Sequence, residues 1–228
     1  MVFSDRTYAG RLLADKLLSY REETIQVLGL SRGGVPVAAV IAEVLEAPLD
    51  VILVRKIGAP FNPELALGAL CENAEPILTE NLLAQVHLTG DDLIDIMEAE
   101  KKEIRRQKRK VRKGRDLKNI KGQTILVVDD GLATGSTMSA AVRYLRNTGA
   151  GKIIAAVPIA STRSADCLRK KVDEFVALEE NDDLMAVSHW YDDFEPVSDQ
   201  EVLSYLKRGF EQKHASKPRL SKLSMEHR

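Results

Sequence analysis

Short apolar runs rich in β-branched residues alternate with helix-patterned segments along this chain, and that alternation limits the folds open to it more than any other feature. The runs are Thr24–Leu30 (TIQVLGL), Asp50–Arg55 (DVILVR), Thr124–Val128, Lys152–Ile159 and Glu174–Leu178. Between them, Val35–Glu46, Thr137–Asn147 and Ser164–Lys171 read as helices, the first with Pro36 in its opening turn, where a missing N–H is tolerated. Strands that alternate with helices pair in parallel and bury both sheet faces under those helices. The expected class is therefore α/β, a mostly parallel sheet flanked by helices on both faces.

At 228 residues the chain suits a single domain with appendages. We expect one domain over 1–210, with a core over about 24–178, a hood over about 179–210 and a polar, basic, disordered tail over 211–228. Ser4 or Asp5 can cap a first helix with an apolar stripe through Tyr8, Leu12, Leu13, Leu17 and Tyr20. Lys56–Glu64 (KIGAPFNPE) reads as a loop, and Leu65–Cys71 with Pro76–Thr79 as a hairpin around Glu72 and Asn73. From Asn81 to Arg115 the pattern is helical, acidic at its start and basic at its end, an order that suits the helix dipole. Leu93, Met97, Ile104 and Val111 form its thin apolar seam, which an edge of the domain or a partner subunit would cover.

Thirty-three Lys and Arg balance 34 Asp and Glu, so no global field draws the chain to nucleic acid or membrane. Cys71 and Cys167 have neither disulfide nor metal spacing. The N-terminus lacks a signal-peptide core, and the longest apolar run, Ile153–Ala160, is too short to cross a bilayer. A cytoplasmic location is the expectation.

Two segments carry chemistry. In Ile125–Met138 (ILVVDDGLATGSTM) an apolar strand ends in Asp129 and Asp130, and a small-residue loop opens directly into a helix. Such a loop turns backbone N–H groups inward, Thr134, Ser136 and Thr137 add hydroxyls, and the helix N-terminus adds partial positive charge, a combination that binds phosphate. The acid pair does not favour phosphate, and ribose hydroxyls with Mg²⁺ fit it better. In Leu30–Pro36 (LSRGGVP) a second glycine turn joins a strand to a helix, so Gly33 and Gly34 can offer N–H groups to an anion and Arg32 a charge-assisted bond.

VVDDGLATGST resembles the phosphoribosyl-pyrophosphate (PRPP) signature of type I phosphoribosyltransferases, in particular the adenine form, with Gly131 where an aliphatic residue is usual. SRGG resembles the pyrophosphate loop of the xanthine enzymes. The resemblance implies a fold of the type I class and transfer of 5-phosphoribosyl from PRPP to a nucleobase-like nitrogen, with Mg²⁺ and release of pyrophosphate. It assigns Asp129 and Asp130 to the ribose hydroxyls and metal, and Ala133, Thr134, Gly135, Ser136 and Thr137 to the 5-phosphate. Ser31, Arg32, Gly33 and Gly34 fall to the pyrophosphate, with a cis Ser31–Arg32 peptide, and Arg55 and Lys56 serve as cations for the leaving group. Arg32 and Lys56 thereby join the acid pair as catalytic candidates, and Glu64 is a further candidate for handling the base.

In Ser188–Pro196 (SHWYDDFEP), Trp190 or Tyr191 could stack on a base, and Asp192 or Asp193 could accept from it or hold Mg²⁺; a satellite core around Trp190 and Phe194 is the alternative. Ala133 stands where 6-oxopurine enzymes carry an Asp, which argues against their unmodified mechanism and leaves the acceptor open. Type I enzymes usually pair, so a homodimer is expected. The run Lys101–Arg115 holds ten Lys or Arg in 15 positions, yet no aromatic residue interleaves for stacking and the preceding acids compensate it. A solvated face or subunit contact is the expectation there. The competing function is a non-catalytic PRPP- or nucleotide-binding regulator that touches nucleic acid through that run.

Overall fold

The computed structural model describes residues 2–60, 62–83, 86, 88–117 and 120–215. In chain order its elements are α1 (Arg6–Lys16), β1 (Ile25–Leu30), α2 (Gly34–Val44), β2 (Leu49–Ile52), β3 (Val54–Ala59), β4 (Asn62–Cys71), β5 (Ile77–Leu78) and α3 (Glu80–Leu83). There follow α4 (Gly90–Arg112), β6 (Thr124–Val128), α5 (Ser136–Asn147), β7 (Lys152–Ser161), α6 (Thr162–Arg169), β8 (Glu174–Asn181) and α7 (Asp199–Ala215).

Five strands form a parallel sheet in the order β2-β1-β6-β7-β8. Successive side chains of a strand face opposite ways, and the two faces bury different helices. Val27, Leu126, Val128, Ile154 and Ala156 pack with Leu13 and Leu17 at α1 and with Val37 and Ile41 of α2. Leu28, Ile125, Val127, Ile153 and Ala155 pack with Met138, Ala141 and Leu145 of α5 and Ala165 and Leu168 of α6. The α/β class with helices on both faces is therefore the observed one. Because β1 leads outward to β2 while β6 leads the other way to β7, the order reverses between β1 and β6. Ligands of open α/β sheets bind in the crevice beyond the carboxyl ends of the strands at such a point.

A second, antiparallel sheet β3-β4-β5 stands beside the first and packs on α4 and α5. It corrects three sequence expectations. Asp50–Arg55 is two strands, because Leu53 gives both its N–H and its carbonyl to Glu72 (3.3 and 3.0 Å) and so leaves the parallel ladder. Lys56–Glu64 is largely strand, its Gly absorbed by register shifts at Gly58. The charged helix runs only over Gly90–Arg112, started by a capping box of Thr89 and Asp92 and ended by Lys113 in the left-handed region. Its seam is covered within the chain: Ile104, Leu93, Met97 and Val111 pack with Val51, Leu53, Ile57 and Leu67, so the seam calls for no partner subunit.

In the region expected as the hood, Tyr191 joins Phe3, Ala9 and Ile159 in a small core against which Trp190 and Phe194 pack. It ties the two ends of the fold together, since Phe3 N–H donates to Trp190 O (2.8 Å) and Asp192 N–H to Phe3 O (2.8 Å). The C-terminal helix runs on to Ala215, into the expected tail; the rest of that tail, from 216, lies outside the described residues. Among the described residues no helix is long and apolar enough to cross a membrane.

Candidate active site

The two glycine turns leave adjacent strands, and the fold presses them together. A Cβ at Gly33 would lie 2.0 Å from Asp130 Oδ2, and one at Gly34 2.4 Å from Val128 O, so only hydrogen fits at either place. The Ser31–Arg32 peptide is cis, as the resemblance implied. Each turn opens into a helix that no side chain among the described residues caps and that carries no acid in its first turn: Gly33 precedes α2, and Gly135, whose φ is +72°, precedes α5. Their first N–H groups stay free of side-chain acceptors, and they are the groups that bind an anion at a helix N-terminus.

The turn between β6 and α5 is pinned from behind. Leu132 bridges to β7 through Ile159 O and Ser161 N–H (2.8 Å each), and the hydroxyls of Ser161 and Ser164 both donate to Ala133 O (2.7 Å each). Thr134 and Ser136 exchange a hydroxyl bond of 3.2 Å at the mouth of the loop. Gly131, the departure from the usual signature, has a local cause: a Cβ there would come within 2.5 Å of Val187, so the hood occupies the space of the usual aliphatic side chain.

Asp129 and Asp130 sit side by side with one cation between them and the hood. Arg6, at the start of α1, donates from Nε to Asp130 Oδ2 (2.8 Å) and from Nη1 to Glu195 O (2.9 Å), with its guanidinium 3.9 Å over the Phe194 ring. Burial pushes both carboxyls up, Asp129 well up because the charge of Asp130 adds to burial and Arg6 lies against its neighbour. Tyr191 donates its hydroxyl to Asp130 O (2.7 Å) and is buried between Phe3 and Phe194, with centroids 5.3 and 5.0 Å away. That corrects the stacking role expected of Tyr191: its ring supports the acid pair and is not open to a base. Trp190 is partly exposed, and Asp192 and Asp193 are exposed.

Among the expected cations, Arg32 reaches Asp199 Oδ1 (3.5 Å) at the start of α7, where Arg106 (2.8 Å) and Lys110 (3.2 Å) of α4 converge on the other oxygen. Burial raises Asp199, but the bonds from Arg106 and Lys110 outweigh it and hold the carboxyl below its ordinary value. Arg55 pairs with Glu100 of α4 (2.6 Å), while Lys56 follows on the opposite face of β3. Ser31 anchors the turn, its N–H donating to Ile52 O (3.1 Å) and its Oγ accepting from Val54 N–H (3.3 Å). The side chain of Glu64 lies outside the described residues.

Sequence reasoning missed Arg6, Ser161, Ser164 and Asp199. Arg6 is 124 residues from its partner, and no local pattern marks it. Ser161 carried a local signal, since it heads an N-cap pattern before α6.

Two helix ends without a side-chain cap thus flank a buried acid pair. The family model described as "Phosphoribosyl transferase domain" matches residues 7–192, and the chain belongs to that family of enzymes. It is 40% identical over 207 residues to two Mycobacterium tuberculosis proteins (strains CDC 1551 / Oshkosh and H37Rv) whose names place them provisionally among the phosphoribosyl transferases. The match takes in 91% of this chain and 47% of theirs, so the chain spans about half the length of the curated relatives it matches. The crystal structure of TT1426 from Thermus thermophilus is similar with a TM-score of 0.74 at 39% identity, over 91% of this chain and 99% of that one.

Proposed function

We propose that this chain transfers the 5-phosphoribosyl group of PRPP to a ring nitrogen of a nucleobase-like acceptor and releases pyrophosphate. The observation that carries this is the contact between the two turns: Gly33 leaves a methyl's width or less before Asp130, so one substrate lying across the crevice meets both open helix ends and the acid pair together. The 5-phosphate takes the N–H groups of Gly135, Ser136 and Thr137 and the hydroxyls of Thr134 and Thr137. The ribose hydroxyls donate to Asp129 and Asp130. The pyrophosphate takes the N–H groups of Gly33 and Gly34, with Arg32 and Lys56 as cations.

At C1 the bond to pyrophosphate oxygen breaks, the bond to the acceptor nitrogen forms, and that nitrogen gives up its proton. The chain contributes mainly position and charge: both phosphate groups are held at fixed helix ends, which aligns C1 with the nucleophile and stabilises the leaving charge. Two carboxylates beside substrate oxygens suit Mg²⁺, which takes one or two protein carboxylates and completes its shell with phosphates and water. When bound, Mg²⁺ would neutralise the departing pyrophosphate. Asp129 and Asp130 would hold it directly or through PRPP and water. Trp190, the partly exposed ring at the hood, is the base-stacking candidate, with Asp192 beside it. A cytoplasmic location and a homodimer belong to the same proposal.

The regulator with a nucleic-acid stripe is less well supported, because at least half of the ten cations of the basic run form ion pairs within the chain and no aromatic residue interleaves them. Lys101 pairs with Glu98, Arg106 with Glu103 and Asp199, Lys108 with Asp116, Lys110 with Asp199 and Arg112 with Glu72.

The test is pyrophosphate release from PRPP with and without Mg²⁺ across a panel of purine and pyrimidine bases. Asp129→Asn and Asp130→Asn serve as controls, and each is expected to lose about 100-fold to 1,000-fold in kcat/KM. Release that no base stimulates, or that survives both substitutions, would sink the proposal.

A further inference from the structure

The basic run of α4 divides by helical spacing into two stripes. Arg106 and Lys110 face Asp199 and the pyrophosphate turn. Lys101, Arg105 and Lys108 face the other way, into a cleft of about 610 Å³ between α4, the β4–β5 turn and the second half of α5. This cleft is separate from the loop site: α5 begins at the phosphate loop, but its cleft-lining residues lie further along, from Ala140 to Thr148.

Four cations line it, Lys101, Arg105, Lys108 and Arg143, against two carboxylates, Glu72 and Glu75, with Asp116 at its edge pairing Lys108. Glu72 is already matched by Arg112, a buried pair in which Arg112 still has Nε and Nη1 without a hydrogen-bond acceptor among the described residues. Arg143 is exposed and has no ion-pair partner among the described residues. Lys101 and Arg105 share a single exposed carboxylate, Glu98, at 2.8 and 3.9 Å. Such exposed pairs are weakly held and exchange readily for a stronger anion. Asn147 and the Tyr144 ring form part of the wall, and burial pushes the pKa of the Tyr144 hydroxyl up to about 12. The volume is that of a small-molecule site, and the cations converge in a concavity, which a long duplex backbone would not fill.

We infer that this cleft is a second binding site, for a phosphorylated small molecule of nucleotide size, with Arg105, Lys108 and Arg143 on its phosphates and Asn147 and Tyr144 on the remainder. It goes beyond the transfer reaction and does not depend on it.

The test uses ADP as the probe, titrated calorimetrically into the full chain, into Thr137→Glu, which places a carboxylate in the phosphate loop, and into Arg105→Glu/Arg143→Glu, which reverses charge in the cleft. ADP is expected to bind Thr137→Glu, and the cleft substitutions are expected to weaken that binding tenfold or more when added to it. Both arginines are at the surface, so a retained thermal midpoint checks the fold; if the double variant unfolds, Arg143→Ser alone should weaken ADP at least threefold. Loss of all ADP binding in Thr137→Glu, or binding indifferent to the cleft substitutions, would overturn the site. Inorganic pyrophosphate and ribose 5-phosphate are the comparison arms. Binding as tight as that of ADP would overturn the nucleotide assignment, and much weaker binding would support it.

Discussion

Helices α1, α4, α6 and α7 are closed at their N-termini by side chains, and α2 and α5 are not. Asp5 accepts from Tyr8 N–H at the head of α1, Thr89 and Asp92 close α4, Ser161 accepts from Ser164 N–H at α6, and Ser198 with Glu201 closes α7. The helices α2 and α5 have Gly33 and Gly135 at the capping position instead. A polar cap is worth about 0.5–2 kcal/mol, so two helices have gone without a common source of stability. Both stand over the crevice between β1 and β6, where the proposed substrate would lie. In the proposed function the open ends belong to the site and the closed ends to the scaffold.

Closing an open end puts this contrast under the greatest strain. Thr137→Asp puts a carboxylate in the first turn of α5; we expect PRPP affinity, measured calorimetrically, to fall about 100-fold, or about 2.7 kcal/mol. The thermal midpoint should rise, since an acid at a helix N-terminus stabilises it by about 0.3–1 kcal/mol. Arg163→Glu, the matching change on α6, should leave PRPP binding alone; equal loss in both would mean a general field effect and not a local one.

Gly33→Ala attacks the meeting of the two turns. The new Cβ would lie 2.0 Å from Asp130 Oδ2 and must displace it from Arg6. Overpacking of this kind costs about 1–3 kcal/mol, and urea unfolding should read it together with roughly tenfold weaker PRPP binding.

Asp199→Asn tests the carboxylate that three cations share. Its folded pKa lies below the ordinary value, so its stabilisation is fully present above the unfolded pKa and is lost as pH falls through the folded one. At neutral pH the variant should be less stable by about 1 kcal/mol, a figure kept small because its cations are partly exposed. The difference from the parent should shrink as the medium is acidified below about pH 4. A difference that persists unchanged at low pH would deny the charge a role.

The smallest effect is expected at a closed end. Asp5→Ala removes the cap of α1 and should cost about 0.5–1 kcal/mol in thermal unfolding, with PRPP affinity unchanged.

Much of the site was legible because it is local. A strand, a small-residue turn and a helix occupy consecutive positions in both Leu30–Pro36 and Ile125–Met138, so the anion-binding backbone could be read from either segment by itself. The sheet was legible for the same reason, since apolar alternation repeats strand by strand. The hairpin of β3 and β4 was not, because its Pro and Gly mimic a loop and only pairing with the opposite strand absorbs them. Tyr191 was misread because its aromatic neighbours in sequence hide that Phe3, from the other end of the chain, covers its ring.

The α/β class, the two glycine turns and the acid pair were written into the order of residues, since each depends on the conformational preference and chemistry of near neighbours. Which charges meet was left to the packing of the whole chain. Arg6 joined Asp130, Arg32 joined Asp199 with two cations of α4, and the basic run was split between two faces of one helix. The division follows from range: turn geometry and helix dipoles act within a few residues, whereas ion pairs and burial are settled by contacts that close only when distant segments have packed.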